Sequence, residues 1–187
     1  MEHYYHFFVS SLPGLKLFAP APWSIEDFME ECARNLSAAD LNLVKTTEFI
    51  PQNDIDFPSD SMTFAWTNFE KQLRNRIVRQ IAKQSDESSV FERVSKGCYP
   101  EVELAVLEAW NQINPLEREK ILDLWRWRFL EHQEARRPFG SIGFICMYKI
   151  KLQIVEKWQK RQTEAGQKNL TRILEESSAQ RAQEPQQ

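Results

Sequence analysis

The chain has 187 residues, 42% of them hydrophobic and 12% aromatic, which is enough to fill a core and excludes wholesale disorder. Five glycines leave long stretches without turn residues, and such stretches favour helices over a multi-turn β-fold. The net charge of −3 divides into −7 over residues 1–60 and +4 over residues 61–187. This asymmetry can steer a protein partner but is too mild to indicate nucleic acid by itself.

The cysteines and the lack of targeting signals indicate the cellular compartment of the protein. Cys32, Cys98 and Cys146 are widely spaced and form no CxxC pair, which predicts reduced thiols rather than a disulfide framework or a zinc knuckle. The apolar N-terminus lacks the basic segment and cleavage site of a signal peptide. No stretch approaches the ~20 apolar residues of a membrane span. We therefore expect a cytoplasmic protein that associates with a membrane only through a partner.

The first quarter of the chain predicts short elements. Residues 4–12 are aromatic and apolar on nearly all sides, so periodicity does not separate a short buried strand from a helical turn. Ser24 and Ser37 are each followed three residues later by an aspartate, which is the pattern of a capped helix start. They predict two short helices joined as an αα-hairpin. The polar loop 50–60 follows, and it marks the one point where the domain could divide.

Longer helices are predicted in the rest of the chain. One runs from about residue 61 to 84 with apolar side chains four apart. Pro100 and Asn114-Pro115 mark two further helix starts, and the last helix begins near Ser141. The apolar positions are Phe64, Phe69, Leu73, Ile77 and Ile81 in the first, Leu104, Leu107 and Trp110 in the second, Leu122, Trp125 and Phe129 in the third, and Phe144, Tyr148, Leu152, Val155 and Trp158 in the last.

These patterns together predict an all-α fold. We expect a bundle of about five to seven helices whose long members are amphipathic. A single helical domain should cover residues 1–175, followed by a disordered polar tail over residues 176–187.

Catalytic and metal-binding signatures are sparse in the sequence. The phosphate-binding glycine loops and the nucleophile elbow do not occur. His3 and His6 could share a helix face, but no cysteine or carboxylate pattern accompanies them, so ordinary histidines are favoured over a metal site. Asp54 and Asp56 fit a solvated acidic loop better than a cation site. The sequence therefore predicts no enzyme, no catalytic residue, no metal and no cofactor.

Two surface features could contact a partner. The predicted helix over residues 61–84 carries a basic face formed by Lys71, Arg74, Arg76, Arg79 and Lys83. A solvated face is the favoured interpretation, a protein contact comes second, and a phosphate-binding face of residues 71–83 comes third. The segment Leu124–Phe129 places tryptophans around a helix. Trp127 could be a partner-facing anchor, although burial between helices is the preferred interpretation.

Two groups of motifs resemble a known family. The first comprises Tyr4-Tyr5-His6-Phe7-Phe8-Val9-Ser10-Ser11-Leu12-Pro13, then Ser24-Ile25-Glu26-Asp27-Phe28 and Cys32; the second comprises Pro138-Phe139, Tyr148-Lys149-Ile150-Lys151-Leu152 and Glu156-Lys157-Trp158. Together they resemble an uncharacterised bacterial family encoded beside the genes of V-type (A/V-type) ATPases. The second group is also similar to the pattern that ends each helical domain of the collar component of V-type ATPases, which is called C or, in eukaryotes, d.

That resemblance implies a non-catalytic role. In the C/d component, helical bundles form a collar that couples the central rotor to the proteolipid ring in ATP-driven proton or sodium transport. Because this chain is too short for three such domains, the resemblance implies an accessory, an assembly factor or a reduced collar. Partners would be central-stalk or membrane-sector subunits of the ATPase. We expect Arg74, Arg76, Arg79, Trp127 and Lys151 to contact them, and a helical nucleic-acid-binding domain is the alternative.

Overall fold

The computed structural model describes residues 4–52, 57–58, 61–85, 92–162 and 172. Within these residues it contains seven α-helices and no strand, which confirms the predicted all-α fold. The helices are α1 (His6–Ser11), α2 (Ile25–Asn35), α3 (Ala38–Thr46), α4 (Met62–Ser85), α5 (Glu101–Trp110), α6 (Pro115–Ala135) and α7 (Ile142–Gln162). His3, Asp54, Asp56 and the predicted tail over residues 176–187 lie outside the described residues.

Local sequence signals set most of the helix starts. The Ser24 hydroxyl accepts from the Asp27 N–H while the Asp27 carboxylate accepts from the Ser24 N–H, so α2 begins with a full capping box. The Ser37 hydroxyl accepts from the Asp40 N–H at the start of α3. Asn114 caps α6 by accepting from the Leu116 N–H, and Pro115 occupies the first helical position. The ambiguous residues 4–12 are helical over His6–Ser11. The helix starts predicted at Ser24, Ser37 and Asn114 are confirmed.

Helix α7 is the central element of the fold. It packs against α2, α3, α4 and α6, and its residues 145–152 are buried without interruption. The predicted stripe of Phe144, Tyr148, Leu152, Val155 and Trp158 does face the core. The helix is nevertheless buried on all sides along this stretch rather than amphipathic, because neighbours surround it.

An aromatic centre joins α4, α6 and the start of α5. The rings of Phe69 and Phe129 stack with centroids 4.1 Å apart, and Tyr99 meets both edge-on. Trp66 completes the group and donates its indole N–H to the Glu48 carbonyl. Buried aromatic pairs of this kind add stability beyond their apolar area. The N-terminal half of α4 is therefore fixed in the core, whereas Ile81 near its end is half exposed.

A chain of ion pairs crosses the interior. Arg126 on α6 donates to both carboxylate oxygens of Glu70 on α4 and to Asp123 one turn earlier, each at 2.9 Å. Burial alone would lower the pKa of Arg126, but the charges and hydrogen bonds of Glu70 and Asp123 outweigh it and raise the pKa. Asp123 also accepts from Lys157 and, at 2.7 Å, from the Trp158 indole on α7. The network ties the three longest helices together.

Candidate interaction surface

The hairpin formed by α5 and the start of α6 exposes four aliphatic side chains. Leu104 and Leu107 lie on the outer face of α5, while Ile113 is in the turn and Leu116 in the first turn of α6. Ile113 is 95% exposed and Leu107 is 63% exposed, which are large values for residues of this type. All four lie within thirteen residues of one helical hairpin, and exposed apolar side chains in such a segment mark it as a candidate contact surface. We call these four residues the hairpin surface.

The packing of α5 explains why its leucines face outward. Its buried face consists of Val102, Ala105, Val106 and Ala109. Two of these residues are alanines, whose short side chains allow α5 to approach α4 and α6 closely, and α5 packs against both. In the sequence, the apolar spacing places Leu104 and Leu107 on this helix but does not show that they are exposed. The signal that could have shown it is the spacing of Ala105 and Ala109, which marks the buried face.

Several contacts hold the hairpin in one shape. The Trp125 indole N–H on α6 donates to the Glu108 carboxylate on α5 at 2.7 Å. Arg118 donates to the Gln112 carbonyl at 2.7 Å, and its guanidinium lies over the Trp110 ring at 5.5 Å. A surface that is already ordered loses less conformational entropy when it binds.

The hairpin is also acidic. Residues 97–117 contain Glu101, Glu103, Glu108 and Glu117 and no lysine or arginine, while Arg118 and Lys120 follow directly in α6. Arg76 pairs with Glu103 at 2.6 Å and Lys120 with Glu117 at 2.7 Å. Glu101 and Glu108 have no ion pair within the described residues, and Glu108 is exposed. The aliphatic side chains are therefore flanked by negative charge.

The predicted basic face of α4 is partly neutralised within the chain. Arg74 pairs with the buried Glu70 at 2.7 Å, Arg76 pairs with Glu103, and Arg79 makes two bonds of 2.5 Å to Glu92. Arg76 and Arg79 line an open cleft of about 480 Å³ between α4, residues 92–100 and α5. The three arginines thus lie on one helix but do not form a cluster of uncompensated charge.

Polar side chains of the same helix hold the segment 92–98 alongside it. Asn75 donates to the Arg93 carbonyl and accepts from its N–H, Gln72 donates to the Gly97 carbonyl, and Asn68 accepts from the Lys96 N–H. These side chains recur at helical spacing on one face of α4. Residues 92–98 therefore cover part of the α4 surface that the sequence pattern predicts to be exposed to solvent.

Trp127 and Lys151 meet between α6 and α7. The Lys151 ammonium lies 5.1 Å from the centroid of the Trp127 ring and pairs with Glu134 at 2.6 Å. The Trp127 indole donates to Glu131 at 2.7 Å. Both residues are 7% exposed, as the preferred interpretation of Trp127 expects. Their geometry serves packing between the two helices, and a role in partner contact stays a prediction.

The polar motif residues of α7 each bind a different part of the chain. Tyr148 donates to the Pro13 carbonyl and accepts from the Trp23 indole, Lys149 donates to the Val44 and Lys45 carbonyls at the end of α3, and Glu156 accepts from the Ile25 N–H at the start of α2. Burial raises the pKa of Tyr148 to about 12. The motif residues on α7 that carry the resemblance therefore organise the bundle.

Burial holds two of the three cysteine thiols in the protonated form. Cys32 and Cys146 are buried, Cys98 is exposed, and all three are unpaired. Burial raises the pKa of Cys32 to about 12 and that of Cys146 to about 11, so both stay protonated at neutral pH. Across the described ranges, histidine, cysteine and carboxylate side chains form no group of three that could hold a metal ion. None of the described helices has the length and apolar character to span a bilayer.

The fold and the hairpin surface define an all-α helical bundle with a structured, apolar and acidic face. Residues 100–179 of the chain match a family model described as "Protein of unknown function (DUF2764)". The matched stretch includes α5, α6 and α7, and hence the hairpin surface and the central helix. No curated protein and no solved structure matches the chain.

Proposed function

We propose that this protein is a non-catalytic interaction module that binds other proteins through the hairpin surface. The observation that carries the proposal is the group of four exposed aliphatic side chains on an ordered helical hairpin. An interface core needs apolar side chains with few charges at its centre and polar groups at its rim. Leu104, Leu107 and Ile113 fit the core, and the surrounding glutamates fit the rim.

We further propose that the partner is a V/A-type ATPase and that the protein is an accessory or assembly factor of its stalk or collar. This assignment rests on the motif resemblance, whose residues include Tyr148, Lys149 and Glu156. The match of residues 100–179 to an uncharacterised family is compatible with it and names no activity. In this role the protein would act at the inner membrane through the complex, without transforming a substrate.

Co-purification from the native cell tests both parts. A tagged chain should recover ATPase subunits, and Leu107→Glu with Ile113→Glu should abolish that recovery because charge would enter the core of the interface. Val94→Glu is the matched control, since Val94 is an aliphatic residue 85% exposed outside the hairpin. Recovery of no ATPase component under conditions that preserve the complex would refute the ATPase assignment. Equal recovery by all variants would refute the hairpin assignment.

The alternative is a nucleic-acid-binding domain that uses the basic face of residues 71–83. Phosphates would have to compete with Glu70, Glu92 and Glu103 for the arginines, which is why we favour a protein partner. The alternative predicts binding that weakens steeply with salt and disappears on Arg76→Glu with Arg79→Glu. Salt-insensitive or undetectable binding to single- and double-stranded oligonucleotides would remove it.

A further inference from the structure

A second surface, outside the hairpin, presents aromatic rings and arginines. Phe7 projects from α1 and is 95% exposed, while Tyr4 and Phe139 are about half exposed. The His6 ring lies between them, with its centroid 5.6 Å from Tyr4 and 5.8 Å from Phe139. We call Tyr4, His6, Phe7 and Phe139, together with Arg136 and Arg137, the aromatic corner.

The aromatic corner is held rigidly. The Tyr5 N–H donates to the Gly140 carbonyl at 2.7 Å, and Phe8 and Val9 anchor α1 in the core. Gly140 has a φ of +80°, and a Cβ there would lie 2.7 Å from His6 Nδ1 and 3.0 Å from the His6 backbone nitrogen. Only glycine allows this close approach. The backbone that carries Tyr4, His6 and Phe139 is therefore held in place.

The charge of the corner is positive. Arg136 is exposed, Arg137 is partly exposed, and neither has a carboxylate partner within the described ranges. Residues 4–12 and 135–148 contain no aspartate or glutamate; Glu2 lies outside the described residues. The nearby Asp40 accepts hydrogen bonds from the Tyr5 and Ser37 hydroxyls.

A cleft of about 250 Å³, lined by both apolar and polar side chains, includes Tyr4 and Arg137 in its wall. The hydroxyl residues Ser61, Thr63 and Ser141 line it, and the Ser141 hydroxyl is buried without a partner among the described residues. An arginine beside hydroxyl groups suits a phosphate.

We propose that the aromatic corner docks on an anionic phospholipid surface. Phe7, Tyr4 and Phe139 enter the headgroup region of the bilayer, and Arg136 and Arg137 pair with lipid phosphates. Aromatic side chains prefer this depth, and basic side chains are attracted to the negative surface of such membranes. The two contributions add, because binding at a bilayer interface strengthens with buried apolar area and with attraction to anionic lipids.

Other occupants fit the corner less well. A free phosphate ion would leave the exposed aromatic rings without a role. Nucleic acid bases stack on open ring faces, but Tyr4 and Phe139 both stack on the His6 ring, and Phe139 also meets Phe144 edge-on. A protein partner would need a pocket shaped for Phe7, whereas a bilayer interface accepts a protruding aromatic side chain without one.

Co-sedimentation of the full chain with vesicles tests the proposal. The probes are vesicles of phosphatidylcholine with phosphatidylserine and vesicles of phosphatidylcholine alone. We expect binding to the anionic vesicles that weakens with salt and is far weaker on the neutral ones. Phe7→Ser should lower partitioning about tenfold or more because it removes one inserted aromatic, and Arg136→Glu with Arg137→Glu should lower it at least as much.

Val94→Ser, at an aliphatic residue 85% exposed outside both surfaces, is the matched control and should bind like the unchanged protein. Phe7 is almost fully exposed, so its variant should retain the helical circular dichroism spectrum and melting temperature. Absent binding, equal binding to both vesicles, or undiminished binding by Phe7→Ser would each overturn the proposal. Binding to a single-stranded oligonucleotide but not to vesicles would overturn it in favour of nucleic acid. The outcome is independent of the hairpin test.

Discussion

Replacing Arg126 by methionine tests the buried network most directly. The Arg126 side chain is 7% exposed and its partners Glu70 and Asp123 are fully buried. Breaking a buried ion pair on one side costs about 3–5 kcal/mol, because a charge is left without its partner. Here Glu70 keeps Arg74, and Asp123 keeps Lys157 and the Trp158 indole. We therefore expect the lower end, about 3 kcal/mol, or roughly 6–12 °C in Tm for a chain of this size.

Urea unfolding followed by tryptophan fluorescence and circular dichroism measures the free energy of unfolding. Arg79→Met is the matched control, because Arg79 also pairs with one carboxylate through two short bonds, but its side chain is 52% exposed. An exposed pair contributes about 0–1 kcal/mol. Adding Glu70→Gln to Arg126→Met should recover part of the loss. If Arg126→Met costs no more than Arg79→Met, the network does not carry the stability that its burial implies.

Three further predictions concern other contacts. Tyr148→Phe should lower the free energy of unfolding by about 1–2 kcal/mol, since the Pro13 carbonyl and the Trp23 indole lose their shared partner; an unchanged urea midpoint would contradict this. Gly140→Ala should cost roughly 1–2 kcal/mol or more, because its backbone is left-handed and His6 occupies the space; Gly14→Ala, with open space around it, is its control. Burial alone would raise the pKa of Glu119, but Arg161 and Lys157 outweigh it and lower the pKa. Glu119→Gln should therefore reduce Tm above the unfolded-state pKa of about 4.3, and the deficit should vanish as pH falls through the lower folded-state pKa; a deficit that is constant from neutral pH to acid would refute the assignment.

Helix starts were predictable because their determinants are local. Ser24, Ser37 and Asn114 cap their helices with neighbours two or three residues away. The all-α class followed from the same signals and from apolar spacing. The central position of α7 was not predictable. A stripe such as Tyr148, Leu152 and Val155 is expected both in a helix with one buried face and in a helix buried on all sides.

The surfaces were harder to predict than the elements. Arg76 and Arg79 look like a free basic face in the sequence, but Glu103 and Glu92 arrive from other segments. The outward turn of Leu104 and Leu107 depends on how closely α5 approaches its neighbours. Phe139 meets His6 across more than a hundred residues of sequence. Such pairings are set by tertiary packing and leave no local periodicity.

The central position of α7 has a consequence for biosynthesis. It is the last of the seven described helices to leave the ribosome, yet α2, α3, α4 and α6 all bury side chains against it. Until translation passes about residue 162, the nascent chain exposes the apolar faces that α7 later covers. A chain truncated before Ile142 should therefore aggregate unless chaperones bind it, even though it contains the sequences of six helices.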